Sequence, residues 1–479
     1  MVFNSIQFLI FFVVVFSLYH FVLKEKTELQ NILLLVASYV FYAWVNWKIL
    51  PLLAVTTAVF YFLGIAIFEA KIDKRKQLLT TLGIVLGIGT LLYFKYFNFF
   101  ISSFKTLFES FGMQTNLHTF KIIVPVGISF YTFRLLSYII DIKRGKFEPT
   151  RDITAFATYV AFFPCILSGP IDRPATLIPQ LKRKRIFDYP FAVDGMRQIL
   201  WGLFKKVVIA DNCAVYVNEV FGGNYQLQTG STLLLAAAIF SFQMYADFSG
   251  YTDMAIGVAK LLGIRVTKNF DYPFYVQNIA EYWRKWHISL TSWLTDYVFM
   301  PLNVKWRDWG NWGTIAAIMI TFILIGLWHG DNWTFAFFGF YEGLLYIPLV
   351  LSGAMFKKKK LEIYKWGGPK PKVMLNILLT FGLVTVGNII FRAETIGQAF
   401  EYLWGITNGG WFFVEPGWRQ IVFFIVFLLI VEWIQRKKEH GLDLSGINSH
   451  VVKFFIYYVL IAAVFIFGEK AETFIYFQF

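Results

Sequence analysis

Apolar stretches of near-membrane length recur from one end of the chain to the other, separated by short polar breaks. Runs of roughly 17–25 apolar residues are what a helix needs to cross a bilayer. The candidates are 6–23, 32–45, 50–68, 78–94 and 122–140, then 232–246, 314–327, 335–351, 373–390, 421–434 and 452–467. The pattern predicts an all-α polytopic membrane protein with about eleven transmembrane helices plus re-entrant or interfacial pieces. The first run lacks a basic leader and a small-residue cleavage site, so it reads as a retained span.

Two segments break this rhythm. Residues 153–167 are apolar, yet Lys143, Arg144 and Lys146 precede them and Lys182 to Arg185 follow. With both flanks on one side, the segment enters and returns, and Pro164, Gly169, Pro170 and Pro174 punctuate it. Such backbone has to be buried in protein or line a cavity, since lipid cannot satisfy its polar groups. From Phe248 to Val304 polar groups alternate with stretches that look embedded. No internal repeat is visible, which argues against an inverted-repeat transporter.

Composition sharpens the class. Only 15% of residues are charged and 57% are hydrophobic, against roughly 25% charged in a soluble domain. A soluble protein with an oversized core does not produce regularly spaced near-spanning runs. The net charge of +14 is carried by short clusters between apolar segments: Lys71, Lys74, Arg75 and Lys76; Lys143 to Lys146; Lys357 to Lys360 with Lys370 and Lys372; and Arg436 to Lys438. This is the pattern that orients a membrane protein rather than a nucleic-acid surface. All clusters fall in the cytoplasm if both termini lie outside. Two cysteines, Cys165 and Cys213, form neither a CxxC pair nor a disulfide framework.

Candidate chemistry concentrates in two of the six histidines. His20, His118, His440 and His450 have no reactive neighbours in sequence and read as structural or solvated. His329 closes an apolar run in Gly326-Leu327-Trp328-His329-Gly330. An ionisable group at that depth faces the protein interior or a wet cavity and marks a pathway or a reaction site. A neutral imidazole there can take the proton of a hydroxyl, as general-base activation requires; an interfacial His beside a Trp anchor is the alternative. His287 lies in Glu281-Tyr282-Trp283-Arg284-Lys285-Trp286-His287-Ile288-Ser289-Leu290-Thr291. If this stretch is one helix, Trp283, His287 and Thr291 share a face. Arg284, Lys285 and Trp283 suit an anionic donor such as a pyrophosphate, or simply an interfacial amphipathic helix. Asp247 and Asp253, beside an apolar run, could orient a histidine, pair with Arg284 or stabilise a broken helix. There is no GxSxG elbow, no HExxH and no phosphate-cradling glycine loop, and no metal is expected.

The residues Trp283 to Leu290 and Gly326 to Gly330 resemble the two histidine signatures of the membrane-bound O-acyltransferases. The resemblance extends to Pro125-Val126-Gly127-Ile128-Ser129-Phe130-Tyr131-Thr132-Phe133, to Phe163-Pro164 with Ser168-Gly169-Pro170, to Tyr245-Ala246-Asp247-Phe248-Ser249-Gly250-Tyr251, and to the ending Phe474-Ile475-Tyr476-Phe477-Gln478-Phe479. It favours the bacterial branch that O-acetylates alginate and peptidoglycan, with teichoic acid D-alanyl transfer a more distant cousin. The resemblance implies a ring of helices around a thin core with funnels from both faces, and one integral domain over 1–479: N-terminal helices to 120, a catalytic core over 121–345 and C-terminal helices beyond. It implies His329 as catalytic base and His287 as a second catalytic or donor-binding histidine, with Asp247, Asp253 and Trp328 supporting. Glu342 stands where many relatives carry another histidine. The implied donor is a cytoplasmic thioester, acetyl-CoA or an acyl carrier, used as substrate with no bound cofactor. The implied partners are membrane lipid and an extracytoplasmic acetyltransferase, and the implied location is the bacterial inner membrane. The competing class is a proton-coupled transporter, which would move its substrate without consuming a thioester.

Overall fold

A computed structural model describes residues 1–115, 118–120, 122–357, 360–365, 367–468 and 474. The signature at the C-terminal end therefore lies outside the described residues apart from Phe474, as do Lys358 and Lys359 of the basic cluster. Among the described residues the chain is helical and its only β feature is an isolated bridge between Ile363 and Pro369.

Among the described residues, eight helical runs are long and apolar enough to cross a membrane: Thr27–Glu69, Asp73–Ser110, Gly230–Leu261, Asn311–His329, Trp333–Leu351, Pro371–Arg392, Trp418–Gln435 and His450–Phe467. The expectation of about eleven separate spans differs for identifiable reasons. The runs at 32–45 and 50–68 are two 20-residue helices, Thr27–Asn46 and Leu50–Glu69, which count above as the single run Thr27–Glu69 although Asn46 between them is extended (φ −162°, ψ 108°) and its side chain caps the next turn at Lys48. The run at 6–23 forms the shorter apolar helix Ile6–Val22. The run at 122–140 becomes Ile128–Lys143, whose 16 residues extend only about 24 Å, short of a straight crossing of about 30 Å.

The chain divides into two compact units. The first comprises Met1–Met196 with Ala255–Thr267. Its centre is Ile128–Lys143, buried almost throughout. A Cβ at Gly64 would collide with the Tyr138 ring, one at Gly83 with Ile139 and Leu63, and one at Gly87 would crowd Leu136. Small residues thus let neighbouring helices close on this one, as is usual where lipid supplies no hydrophobic drive. The segment expected to be re-entrant forms a nine-residue helix, Ile153–Ala161, followed by irregular backbone and the helix Pro174–Lys182. Nine residues span about 13 Å, too little to cross. Residues 155–172 are buried throughout. Arg134, fully buried, donates to the carbonyls of Tyr159 (3.0 Å), Val160 (3.2 Å) and Pro170 (2.9 Å). One guanidinium thereby supplies hydrogen bonds that lipid could not.

The second unit comprises Arg197–Met254 with Lys268–Phe479 and holds the candidate chemistry. Its helix pair Asn311–His329 and Trp333–Leu344 packs with unusually close backbones. A Cβ at Gly326 would strike the carbonyl of Phe335, and one at Gly339 the carbonyl of Phe322.

Candidate active site

His329 is the last residue of the helix Asn311–His329, and the extended Gly330 (φ −166°) stops the helix immediately after it. The glycine contacts described above hold this helix against Trp333–Leu344, fixing the height of the imidazole. Its ring, 6% exposed, lies among Trp328 (5.0 Å between centroids), Phe391 (5.1 Å) and Phe338 (6.1 Å).

His287 sits differently from the expectation. Glu281–Thr291 is not one helix: Ile279–Lys285 ends at an extended Trp286, and Ile288–Leu294 begins after His287, which is left-handed (φ 44°, ψ 51°). The shared face of Trp283, His287 and Thr291 therefore does not exist. A residue with a Cβ adopts this conformation only where its surroundings dictate it. Here the Asn269 carbonyl accepts the Ile288 N–H (2.9 Å), and the Asn269 side-chain oxygen accepts the Ser289 N–H (3.2 Å). The Asp271 N–H donates to the Lys285 carbonyl at 3.0 Å. The break swings His287 inward, 1% exposed, with its ring edge-on to Phe248 (4.7 Å) and Trp328 (5.7 Å).

The two histidines thus meet the same indole, that of Trp328, drawn from a chain separation of more than forty residues. Trp283 is buried, and its Nε1 donates to Glu342 Oε2 at 2.8 Å. Arg284 is exposed, whereas Lys285 is half-buried and 3.7 Å from Asp271.

Asp247 and Asp253 pair with neither Arg284 nor a helix break, because Gly230–Leu261 is continuous through both. Asp253 accepts from Gln198 Nε2 at 2.7 Å, and the charged partners of both acids are two lysines absent from the expected site. Lys205 lies 2.6 Å from Asp253 and donates to Ser249 at 2.9 Å. Lys206 bridges Asp211 (2.7 Å) and Asp247 (2.9 Å). Consecutive residues on a regular helix diverge by about 100°. Both lysines fall in a π-helical turn, Phe204–Ala210, a local form often found at functional sites. Tyr245 extends the network, donating to Glu432 at 2.7 Å beneath the Lys205 ammonium. The signal was available: Lys205-Lys206 interrupts an otherwise apolar stretch, and ionisable residues in such a setting face the protein interior.

Residues 40–386 match the sequence pattern described as MBOAT, membrane-bound O-acyltransferase family. The chain belongs to that family. It is 38% identical to a probable alginate O-acetylase of Pseudomonas aeruginosa, over 84% of this chain and 74% of that protein. It is 30% identical to a peptidoglycan O-acetyltransferase of Helicobacter pylori, over 85% of this chain and 80% of that protein. A teichoic acid D-alanyltransferase of Bacillus subtilis is 30% identical over 56% of this chain and 69% of that protein. This membrane-bound O-acyltransferase is accordingly a multi-pass membrane enzyme that works beside lipid on an acyl donor, and within its matched region His287 and His329 both contact Trp328.

Proposed function

We propose that the protein is an O-acetyltransferase of the bacterial inner membrane that draws acetyl groups from cytoplasmic acetyl-CoA for O-acetylation of a cell-surface polysaccharide or peptidoglycan. The observation that carries the reading is the buried His287–Trp328–His329 cluster in a chain whose relatives are named as O-acetylases of alginate and peptidoglycan.

The chemistry follows from the residues. The exposed Arg284 and the half-buried Lys285 supply positive charge for the donor pyrophosphate. His329 takes the proton of an acceptor hydroxyl as its oxygen attacks the thioester carbonyl. The carbon–sulfur bond breaks, the ester forms, and the thiol leaves carrying a proton returned from the imidazole. Aromatic walls exclude water, which would otherwise hydrolyse the thioester. His287, on the other side of Trp328, orients the donor or assists proton transfer. Asp247 and Asp253, neutralised by Lys206 and Lys205, hold the helix that carries Phe248 against His287. A separate extracytoplasmic acetyltransferase carries the group onward to the polymer.

The test is transfer from radiolabelled acetyl-CoA in reconstituted membranes supplied with partner and acceptor. His329→Ala is expected to lose about 10²–10⁴-fold in turnover, the usual worth of a positioned acid–base group, with protein amount and melting matched to wild type. His287→Ala is expected to fall less or to raise KM. Full activity in His329→Ala would overturn the assignment of the base. A wild type that consumes no acetyl-CoA with every component present would overturn the choice of donor.

A further inference from the structure

The second unit contains an apolar groove of about 830 Å³ that takes no part in the chemistry above. One wall is a stripe of the helix Pro371–Arg392 that includes Ile377, Leu378 and Phe381. The other is a stripe of Trp418–Gln435 from Val426 to Ile434. Leu378, Ile430 and Ile434 are each more than half exposed, so the groove opens sideways where both helices face lipid. Its floor is aromatic: Phe242, Phe274 and Phe381 meet pairwise at 4.9–5.4 Å.

One end is polar. Trp433 donates from Nε1 to the Gly367 carbonyl at 3.0 Å, and Arg436 stacks over its ring at 4.4 Å. Lys437, next in the chain, is exposed. Lys438 is engaged by Asp443 at 3.7 Å, but neither Arg436 nor Lys437 has a carboxylate partner among the described residues. The groove is therefore greasy along its length and cationic at its mouth.

We infer that this groove binds an anionic phospholipid of the cytoplasmic leaflet, with acyl chain along Trp418–Gln435 and phosphate at Arg436 and Lys437. Length supports it: from Val426 to Arg436 a helix rises about 15 Å, half of a hydrocarbon core of about 30 Å. Charge supports it too: the apolar stripe of Trp418–Gln435 runs directly into Arg436 and Lys437, and a phospholipid joins hydrocarbon to an anionic headgroup in that same order. The side of the membrane follows from the basic cluster at 436–438, which the positive-inside bias places in the cytoplasm, where anionic headgroups meet juxtamembrane cations.

Trp433 provides the readout. The full chain would be reconstituted in phosphatidylcholine bilayers containing brominated-chain phosphatidylglycerol or brominated-chain phosphatidylcholine at matched fractions. The emission of Trp433→Phe would be subtracted to isolate Trp433. Each cation near an anionic headgroup is worth about fivefold in affinity, so brominated phosphatidylglycerol should quench Trp433 at an approximately 25-fold lower mole fraction than its neutral counterpart. R436Q/K437Q should abolish that preference while leaving quenching by the chains. Lys437→Gln alone, at an exposed position with no carboxylate partner among the described residues, should remove about fivefold of it even if the double variant fails to fold. Equal quenching of wild type by both lipids, no quenching by either, or a preference that survives these substitutions would overturn the inference.

Discussion

Lys205 and Lys206 are nearly inaccessible ammonium groups in a membrane protein, and their cost is met by carboxylates at 2.6–2.9 Å. Removing one member of such a buried pair leaves an uncompensated charge, at about 3–5 kcal/mol, whereas removing both can be nearly neutral. Lys205→Met should therefore melt well below wild type in the same detergent, and Lys205→Met with Asp253→Leu should recover most of the loss. A double variant no better than the single would show that Lys205 acts elsewhere. Glu342 makes a separate case at this scale. Glu342→Gln keeps an oxygen for the Trp283 N–H, but Glu342→Ala strands a buried donor at about 1–3 kcal/mol, so the melting order should be wild type, Gln, Ala. Asp247 and Asp253 were visible in the sequence because acids beside an apolar run stand out. Lys205-Lys206 stood out in the same way, by interrupting an apolar stretch, but which acid each lysine meets depends on the π-helical turn Phe204–Ala210.

Helix packing explains the residues around the two buried histidines. In Gly326-Leu327-Trp328-His329-Gly330 the first glycine matters for packing, since a methyl group there would strike the Phe335 carbonyl. Gly339 answers from the partner helix, where a methyl group would strike the Phe322 carbonyl. Backbone cannot yield as a flexible side chain would, so Gly326→Ala or Gly339→Ala should cost at least the 1–3 kcal/mol typical of overpacking and should lower turnover by displacing His329. Gly382→Ala is the control: its new methyl group meets nothing within 4 Å in the helix Pro371–Arg392, and it should be neutral or stabilising by up to about 1 kcal/mol. Melting temperatures and acetyl transfer, measured together on the three variants, separate the two cases. The motif's presence was legible in the sequence, but its mechanical role was not, because close helix approach depends on which residues face which across two segments. The break at His287 was illegible for a related reason. Its residues have ordinary helical spacing, and the hydrogen bonds that enforce the turn come from Asn269, 18 positions earlier.

At the scale of the whole molecule, hydropathy located the embedded segments and charge suggested their direction, but neither could count crossings. Two helices can follow one another across a single extended residue, as Thr27–Asn46 and Leu50–Glu69 do at Asn46, and a run can fall short of a full crossing, as in Ile128–Lys143. Buried charge hides others: the helical run from Tyr189 to Gly222 is about 50 Å long, yet Lys205, Lys206 and Asp211 depress its hydropathy. Orientation is open to a direct test because the native thiols, Cys165 and Cys213, are both buried and should label poorly. Lys74→Cys and Lys437→Cys lie in basic clusters and should react with a membrane-impermeant maleimide only after permeabilisation. Phe412→Cys, at a fully exposed position beyond Pro371–Arg392, should react in intact cells. If all three report as expected, Arg284 and Lys285 fall on the cytoplasmic, donor side, since two candidate spans separate them from the cluster at 357–372 and four from the cluster at 436–438. If Lys437→Cys labels from outside, the cationic mouth of the lipid groove faces the wrong leaflet and the cytoplasmic entry of acetyl-CoA loses its electrostatic basis together with it.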